Sequence, residues 1–247
     1  MAEATKDIGL PIDETYPPPA RAREGALVRN RVEYEELYRR SIEDRDAFWA
    51  EMANRFVDWI EPFETVCDED LMTGRVGWFL GGKLNASANC LDRHLAVRGD
   101  KVALLWEGDE PGENRSMTYR EAYEETCRLA NALKAKGIKK GDRVAIYMGM
   151  VPELAVAMLA CARIGAIHSV IFGGFSPRSI VDRVEDSTCR AIITQDEGRR
   201  GGRPVGLKEN VDRALEMGGK SVEFTIVFRR TGSPVNMVDG RDFWWHD

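Results

Sequence analysis

The hydrophobic pattern of the chain changes near residue 100. Beyond it, apolar runs of strand length alternate with stretches whose apolar residues return at helical spacing. The strand-like runs are 102–106, 143–148, 167–171, 190–194 and 222–228, and the helical stretches are 119–136, 152–163, 177–186 and 207–217. Such alternation predicts right-handed crossovers and a mostly parallel, doubly wound α/β sheet with helices on both faces. The helix ends carry their own signals. Thr118 and Glu121 stand at capping-box spacing, Pro152 lies in a first turn, and Ser176-Pro177 offers a capping hydroxyl followed by a proline at the first helical position. Gly137, Gly165 and Gly218 fall where helix ends favour a left-handed residue.

Upstream the periodicity is helical. Residues 32–39 form a short amphipathic pattern, and a longer one begins at Ser41, with Phe48, Met52 and Phe56 at every fourth position and Trp49 and Ala53 beside them, until Pro62 ends it. Residues 1–30 contain Pro11, Pro17, Pro18 and Pro19 among charged and small residues, which predicts a poorly ordered arm with no packed element. The expected organisation is therefore an arm over 1–30, a helical segment over 31–100 and an α/β region over 101–247.

Composition narrows the function. With 247 residues, 43% hydrophobic and 31% charged, the chain can bury a core. A net charge of −6 argues against nucleic acid or an anionic membrane as partner, so any basic cluster is a local feature addressed to a small anion. No apolar stretch approaches membrane-spanning length, and residues 1–7 carry acidic groups where a signal peptide would be basic and then apolar, so a cytoplasmic protein is expected. The cysteines Cys67, Cys90, Cys127, Cys161 and Cys189 are scattered and odd in number, as for reduced thiols. Cys90 and His94 stand four apart and could share a helix face, but without further ligands they read as a buried thiol beside a structural histidine rather than a zinc site. His168, on a strand, reads as packed.

The candidate chemistry lies in Asp196-Glu197-Gly198-Arg199-Arg200-Gly201-Gly202-Arg203, directly after the apolar run that ends at Thr194. Guanidinium forks match phosphate oxygens, and glycines let backbone amides approach the same anion. Ligands of open parallel sheets settle beyond the carboxyl ends of the strands, where Phe172-Gly173-Gly174-Phe175 has the same address; if the two strands are neighbours, both loops rim one crevice. The alternative is a solvated basic turn. Residues 77–84 have the glycine and Gly-Lys spacing of a Walker phosphate loop, but Leu84 replaces the hydroxyl that would hold magnesium and no apolar strand leads into Gly77. A nicotinamide oxidoreductase is disfavoured because no strand runs into Gly-x-Gly-x-x-Gly.

Taken together, residues 77–87, Asn89-Cys90-Leu91-Asp92-Arg93-His94, residues 158–169 and Phe172-Gly173-Gly174-Phe175-Ser176-Pro177 closely resemble the acetyl-coenzyme A synthetase family of adenylate-forming enzymes. The likeness runs from about Tyr34 to the last residue. It implies that 101–247 is the first part of an AMP-binding domain, and that the reaction joins acetate to ATP as an acyl adenylate before passing the acyl group to coenzyme A. It also implies that Arg200-Gly201-Gly202-Arg203 contacts coenzyme A, with Arg200 and Arg203 near its phosphates, and that Gly174 approaches the same molecule. ATP, magnesium, the acyl pocket and every catalytic residue would belong to segments following Asp247, so the chain alone is expected to be inactive. A ligase for propionate or another short acid, and a non-catalytic module, stay open as alternatives. Ala88 and Gly149 depart from the family pattern, which usually has an aromatic and a proline there. A sheet cut after Phe228 is further expected to leave a bare strand edge and exposed apolar surface on helices such as 154–162, and so to aggregate.

Overall fold

The structure is a computed structural model describing residues 16–247; the expected arm over 1–15 lies outside the described residues. The chain divides into two compact units, one built from residues up to Val57 with 63–81, the other from 58–62 with 82–247. Among the described residues, no helix is long and apolar enough to cross a membrane.

The first unit holds α1 (Ala20–Arg23), α2 (Arg31–Glu43), α3 (Arg45–Phe56), β1 (Thr65–Asp70) and β2 (Arg75–Leu80). The single turn of α1 falls in the expected arm and buries nothing. Asn30 caps α2 by accepting from the Glu33 amide, and the helix runs through Ser41 to break at Asp44, whose φ of −131° is not helical. Ser41 therefore lies inside a helix and does not open one; its hydroxyl donates back to the Tyr38 carbonyl. Phe48 and Ala53 are the buried positions of α3, and Trp49 meets Trp78 edge-on at 6.2 Å. β1 and β2 form an antiparallel hairpin with Asp68 opposite Gly77. Gly77 thus belongs to an extended strand, which disposes of the phosphate-loop spacing on geometric grounds.

The second unit begins with α4 (Ala86–Cys90), a 3₁₀ turn at Asp92–His94 and α5 (Leu95–Arg98). There follow β3 (Val102–Glu107), β4 (Asn114–Thr118), α6 (Tyr119–Ala135), β5 (Arg143–Met148), α7 (Pro152–Ile164), β6 (Ile167–Phe172), α8 (Pro177–Ser187) and β7 (Ala191–Gln195). The last elements are β8 (Gly198–Arg200), β9 (Arg203–Val205), α9 (Leu207–Met217), β10 (Phe224–Phe228) and β11 (Asp242–Trp244). Five strands form one sheet in the order β11-β10-β7-β5-β6, and every pairing in it is parallel.

Strand alternation sorts the side chains into two cores. Val144, Ile146 and Met148 of β5, with Ile193 and Ile226, pack beneath Leu129 and Leu133 of α6 and Val156, Ala157 and Ala160 of α7. Ala145 and Tyr147, with Ile192, pack on the other face beneath Ile180, Val181 and Val184 of α8 and Val211 and Ala214 of α9. Being covered on both faces, β7 and β10 are buried along their whole length, whereas the outer strand β6 leaves Ile167, Val170 and Phe172 exposed.

The mostly parallel, doubly wound sheet is the one the alternation predicts, but several details differ. β3 stands outside the sheet, paired antiparallel with β4 in its own hairpin, because the polar loop that follows it turns the chain straight back. β6 and β7 are not neighbours; β5 lies between them. β10 is flanked by β11, so the sheet edge foreseen after Phe228 falls on the three-residue β11 instead, and Leu154, Val156, Ala157, Ala160 and Cys161 of α7 are buried, so the exposed helix face foreseen there is not found. Gly137 and Gly165 are left-handed, while Gly218 is extended at φ 176° and Gly219 takes the left-handed step. Cys90 is exposed, and the end of its helix at Leu91 separates it from His94, which meets Tyr119 edge-on at 5.3 Å. His168 is half-buried.

Candidate functional site

The order of the strands locates the cleft. From β5 the chain passes through α7 to β6 on one side, then returns through α8 across β5 to pair β7 on the other. The helices that follow β5 and β7, α7 and α9, cover opposite faces, so the loops leaving the carboxyl ends of these adjacent strands diverge. A crevice must open between them. It holds a cavity of about 550 Å³ whose wall includes Met148 and Gly149 at the end of β5, Phe172, Gly173 and Gly174 at the end of β6, and Gln195, Arg199 and Arg200 at and beyond the end of β7. The two loops singled out in the sequence thus meet in one cleft although their strands do not touch.

Polar groups behind the wall fix these loops. The Gln195 side chain accepts from the Gly149 amide at 2.9 Å and donates to the Glu197 carbonyl at 2.9 Å, tying the ends of β5 and β7 together. Tyr147 is fully buried; its hydroxyl reaches the Phe175 carbonyl at 2.8 Å and the Gly173 carbonyl at 3.2 Å, and accepts from Asn210 at 3.2 Å. Burial pushes the Tyr147 phenol above its ordinary range, with the Asn210 hydrogen bond opposing, so it stays a donor to the glycine loop. Asp196 is also fully buried, and its carboxylate accepts from the backbone amides of Arg230 at 2.8 Å and Gly232 at 2.8 Å, with Thr231 between them. That nest of amides anchors the loop after β10 to the end of β7. Arg230 extends from it over the Trp106 ring, 4.9 Å from its centroid, and forms an ion pair with Glu113, while Trp106 donates to the Met150 carbonyl at 2.6 Å.

The arginine stretch is a hairpin. β8 and β9 pair antiparallel with Arg200 opposite Arg203, and the two-residue turn between them has φ of 56° at Gly201 and 72° at Gly202. Positive φ at both central residues is the type I′ geometry that matches strand twist, so the glycine pair is required by the turn itself. The Gly202 amide is already used: it donates to Asp109 at 2.6 Å. Arg199, Arg200 and Arg203 are exposed and have no carboxylate partner among the described residues, and Arg200 and Arg203 stand directly opposite one another in the ladder. Like charges so placed repel, and an anion between them removes the penalty. Arg200 lies over Phe172, 5.4 Å from the ring centroid, and a Cβ on Gly174 would stand 2.7 Å from Phe172 and 2.9 Å from Arg200 Nη1. Gly174, Phe172 and Arg200 therefore form one contiguous surface, with Gly201, Gly202 and Arg203 at the outer end of the hairpin beyond the cavity wall.

Sequence reading missed Trp106, Asp109, Tyr147, Gln195, Asp196 and Arg230 as parts of this site. The available signal was polarity in an apolar run: Gln195 ends β7 and Asp196 follows it, where a wholly structural strand end has no need of two buried polar side chains.

Comparison with known proteins places this geometry in a family. Residues 34–90 match the model for the acetyl-coenzyme A synthetase N-terminus, and residues 91–238 match the model for AMP-binding enzymes. The chain is 57% identical over 215 residues to acetyl-coenzyme A synthetase 2 of Pseudomonas putida, covering 87% of this chain and 33% of that protein. It is 52% identical over 234 residues to acetyl-coenzyme A synthetase of Alkalilimnicola ehrlichii, covering 95% of this chain and 36% of the relative. Among solved structures, the acetoacetyl-CoA synthetase from Streptomyces lividans superposes with a TM-score of 0.77 at 28% identity, over 92% of this chain and 34% of that one. The chain thus spans about a third of the length of the curated relatives it matches. The AMP-binding model accounts for more than half of its residues, and the chain belongs to the AMP-binding enzyme family, joined to an N-terminal segment of the acetyl-coenzyme A synthetase type.

Proposed function

We propose that this chain is the N-terminal portion of an AMP-forming acetate–CoA ligase and that the cleft at the ends of β5, β6 and β7 receives coenzyme A. On this reading Arg200 and Arg203 neutralise the coenzyme's phosphates, Gly201 and Gly202 keep the hairpin tight enough to hold both guanidiniums side by side, and Gly174 leaves room for the ligand against the Phe172 ring. The observation that carries the reading is the guanidinium group of Arg199, Arg200 and Arg203, unpaired among the described residues on an acidic chain, next to a glycine surface that a single Cβ would fill. The relatives named acetyl-coenzyme A synthetase, at 52–57% identity, support acetate as the acid.

The reaction assigned to the whole enzyme is acetate plus ATP to acetyl-adenylate and diphosphate, then attack by the coenzyme A thiol to release acetyl-coenzyme A and AMP. Residues 1–247 contribute the thiol carrier's side of the site; ATP and its magnesium are assigned to residues following Asp247, and the division into a helical segment over 31–100 and the first part of the AMP-binding domain over 101–247 belongs to the same proposal. Here the chain's work is binding and orientation. Tyr147, Gln195 and Asp196 hold the wall, and the arginines place the anionic end of the carrier. In the enzyme containing this chain, Arg200→Ala is expected to raise KM for coenzyme A by roughly 10- to 100-fold, the worth of a charge-assisted hydrogen bond, while acetate-dependent exchange of diphosphate into ATP is unchanged. Equal loss in both half-reactions would refute the assignment. Residues 1–247 alone are expected to release no diphosphate from acetate and ATP.

A further inference from the structure

The contact between Asp109 and the hairpin tip adds a determinant of ligand choice to the cleft. Asp109 lies in the loop joining β3 to β4, and its Oδ2 accepts from the Gly202 amide at 2.6 Å. The loop is not free to wander. Glu113 at its far end is paired with Arg230, the Gly108 amide donates to the Glu113 carbonyl at 2.6 Å, and Trp106 at its near end is fastened to the Met150 carbonyl. Gly108 and Asp109 belong to the wall of the same cavity as Gly174 and Arg200. A carboxylate is thus held on a backbone amide at the turn between two arginines that face each other across the ladder.

We propose that Asp109 is an internal stand-in for phosphate: its carboxylate occupies the Gly202 amide and offsets the charge of Arg200 and Arg203, and a phosphorylated ligand binds by displacing it. This rests on the cleft being the coenzyme A site. A phosphate dianion brings more charge and more acceptor oxygens to the guanidinium forks than one carboxylate, so it wins the exchange, whereas an uncharged carrier cannot. The contact therefore lowers the apparent affinity of phosphorylated carriers by the fraction of time that Asp109 stays seated, and leaves untouched the binding of carriers that make no claim on the Gly202 amide or the arginines. Asp109 binds no substrate in this scheme and acts through the groups it occupies.

The test is binding of coenzyme A and of pantetheine to the 247-residue chain by calorimetry at low salt, for the wild type, Asp109→Asn, Asp109→Ala and Arg200→Ala. Removing the charge is expected to tighten coenzyme A about 3- to 10-fold with Asp109→Ala, less with Asp109→Asn, and the gain should shrink at high salt as surface charges are screened. Pantetheine, which lacks the phosphates at issue, should not respond. Weaker binding of coenzyme A and pantetheine alike in both Asp109 variants would show that the residue merely shapes the hairpin and would overturn the proposal. Coenzyme A binding that depends on Arg200 yet ignores Asp109 would overturn this proposal alone. Absence of wild-type binding, or indifference to Arg200→Ala, would overturn the site assignment and this proposal with it.

Discussion

Gly174 has no room for a side chain. A methyl there would press on the edge of Phe172 and the end of Arg200, both of which can swing away, so Gly174→Ala should leave the thermal midpoint within a few degrees while displacing the surface offered to the ligand. An increase of roughly 10-fold in the dissociation constant for coenzyme A with an unchanged unfolding profile is the expected result. Gly173 is different, because its Cβ would meet the Met148 carbonyl at 2.9 Å, and backbone cannot step aside. The same scale governs the thiols. Cys161 is fully buried, and burial pushes its thiol up to about 12, so it carries almost no thiolate at neutral pH. Cys90 is exposed. Titration of the native chain with a disulfide reagent should label Cys90 and spare Cys161 until denaturant is added.

At the scale of elements, α6 shows how little of its start is left to packing. Thr118 and Glu121 complete the reciprocal cap that their spacing predicts, and Thr118→Ala should cost about 1 kcal/mol in denaturant unfolding. α9 is held in another way. Lys208, fully buried, donates to Asp212 at 2.7 Å, to the Asn236 carbonyl at 2.7 Å and to Asp242 at 2.9 Å, which fastens the helix to the segment leading into β11. Replacing Lys208 with Met leaves Asp242 buried with fewer partners, and a loss of about 3–5 kcal/mol is expected. These elements also show what could be read from the chain. The strands β5, β7 and β10 and their covering helices were legible because burial on both faces demands unbroken apolar runs, β6 was legible because it is apolar although largely exposed, and Ser176, Thr118 and Pro152 mark helix starts by local chemistry alone. The strands β1, β2, β4, β8 and β9 were not, since short half-exposed strands have no apolar period to detect, and β3, although legible as a strand, gave no sign that it pairs in a hairpin outside the sheet. For the same reason Arg200 and Gly174 could be picked out as candidates, while Asp109, brought to the hairpin tip from 93 positions away, could not.

For the whole molecule, acid is the informative stress. Burial raises the Asp242 carboxyl, but hydrogen bonds from Arg241, the Val238 amide and Lys208 outweigh it and leave the group below its ordinary range. Asp142 is lowered by the Lys139 amide and by Arg190, and Glu223 by Arg190. A carboxyl lowered in the native state adds stability that is complete above its unfolded value near 4 and disappears as pH falls through the native value. Urea midpoints should hold steady from about pH 6 to 5 and drop below about pH 4, with a shallower drop in Asp242→Asn. Aggregation, if it occurs, should start at the outer strand β6, where Ile167, Val170 and Phe172 are exposed, and a lysine at Val170 should suppress it, as followed by light scattering.

The strand order carries a last consequence, for biosynthesis. As the polypeptide leaves the ribosome, β5 gains β6 on one flank almost at once, but its other flank waits until β7 has been made and α8 has carried it back across. At about 5–20 residues per second that delay lasts seconds, and Arg230 and the amides that clasp Asp196 emerge later still. The cleft at the ends of β5, β6 and β7 therefore comes into being near the end of this region's synthesis, so nascent chains cannot be rescued by early capture of any ligand there, and must rely on their own apolar cores until then.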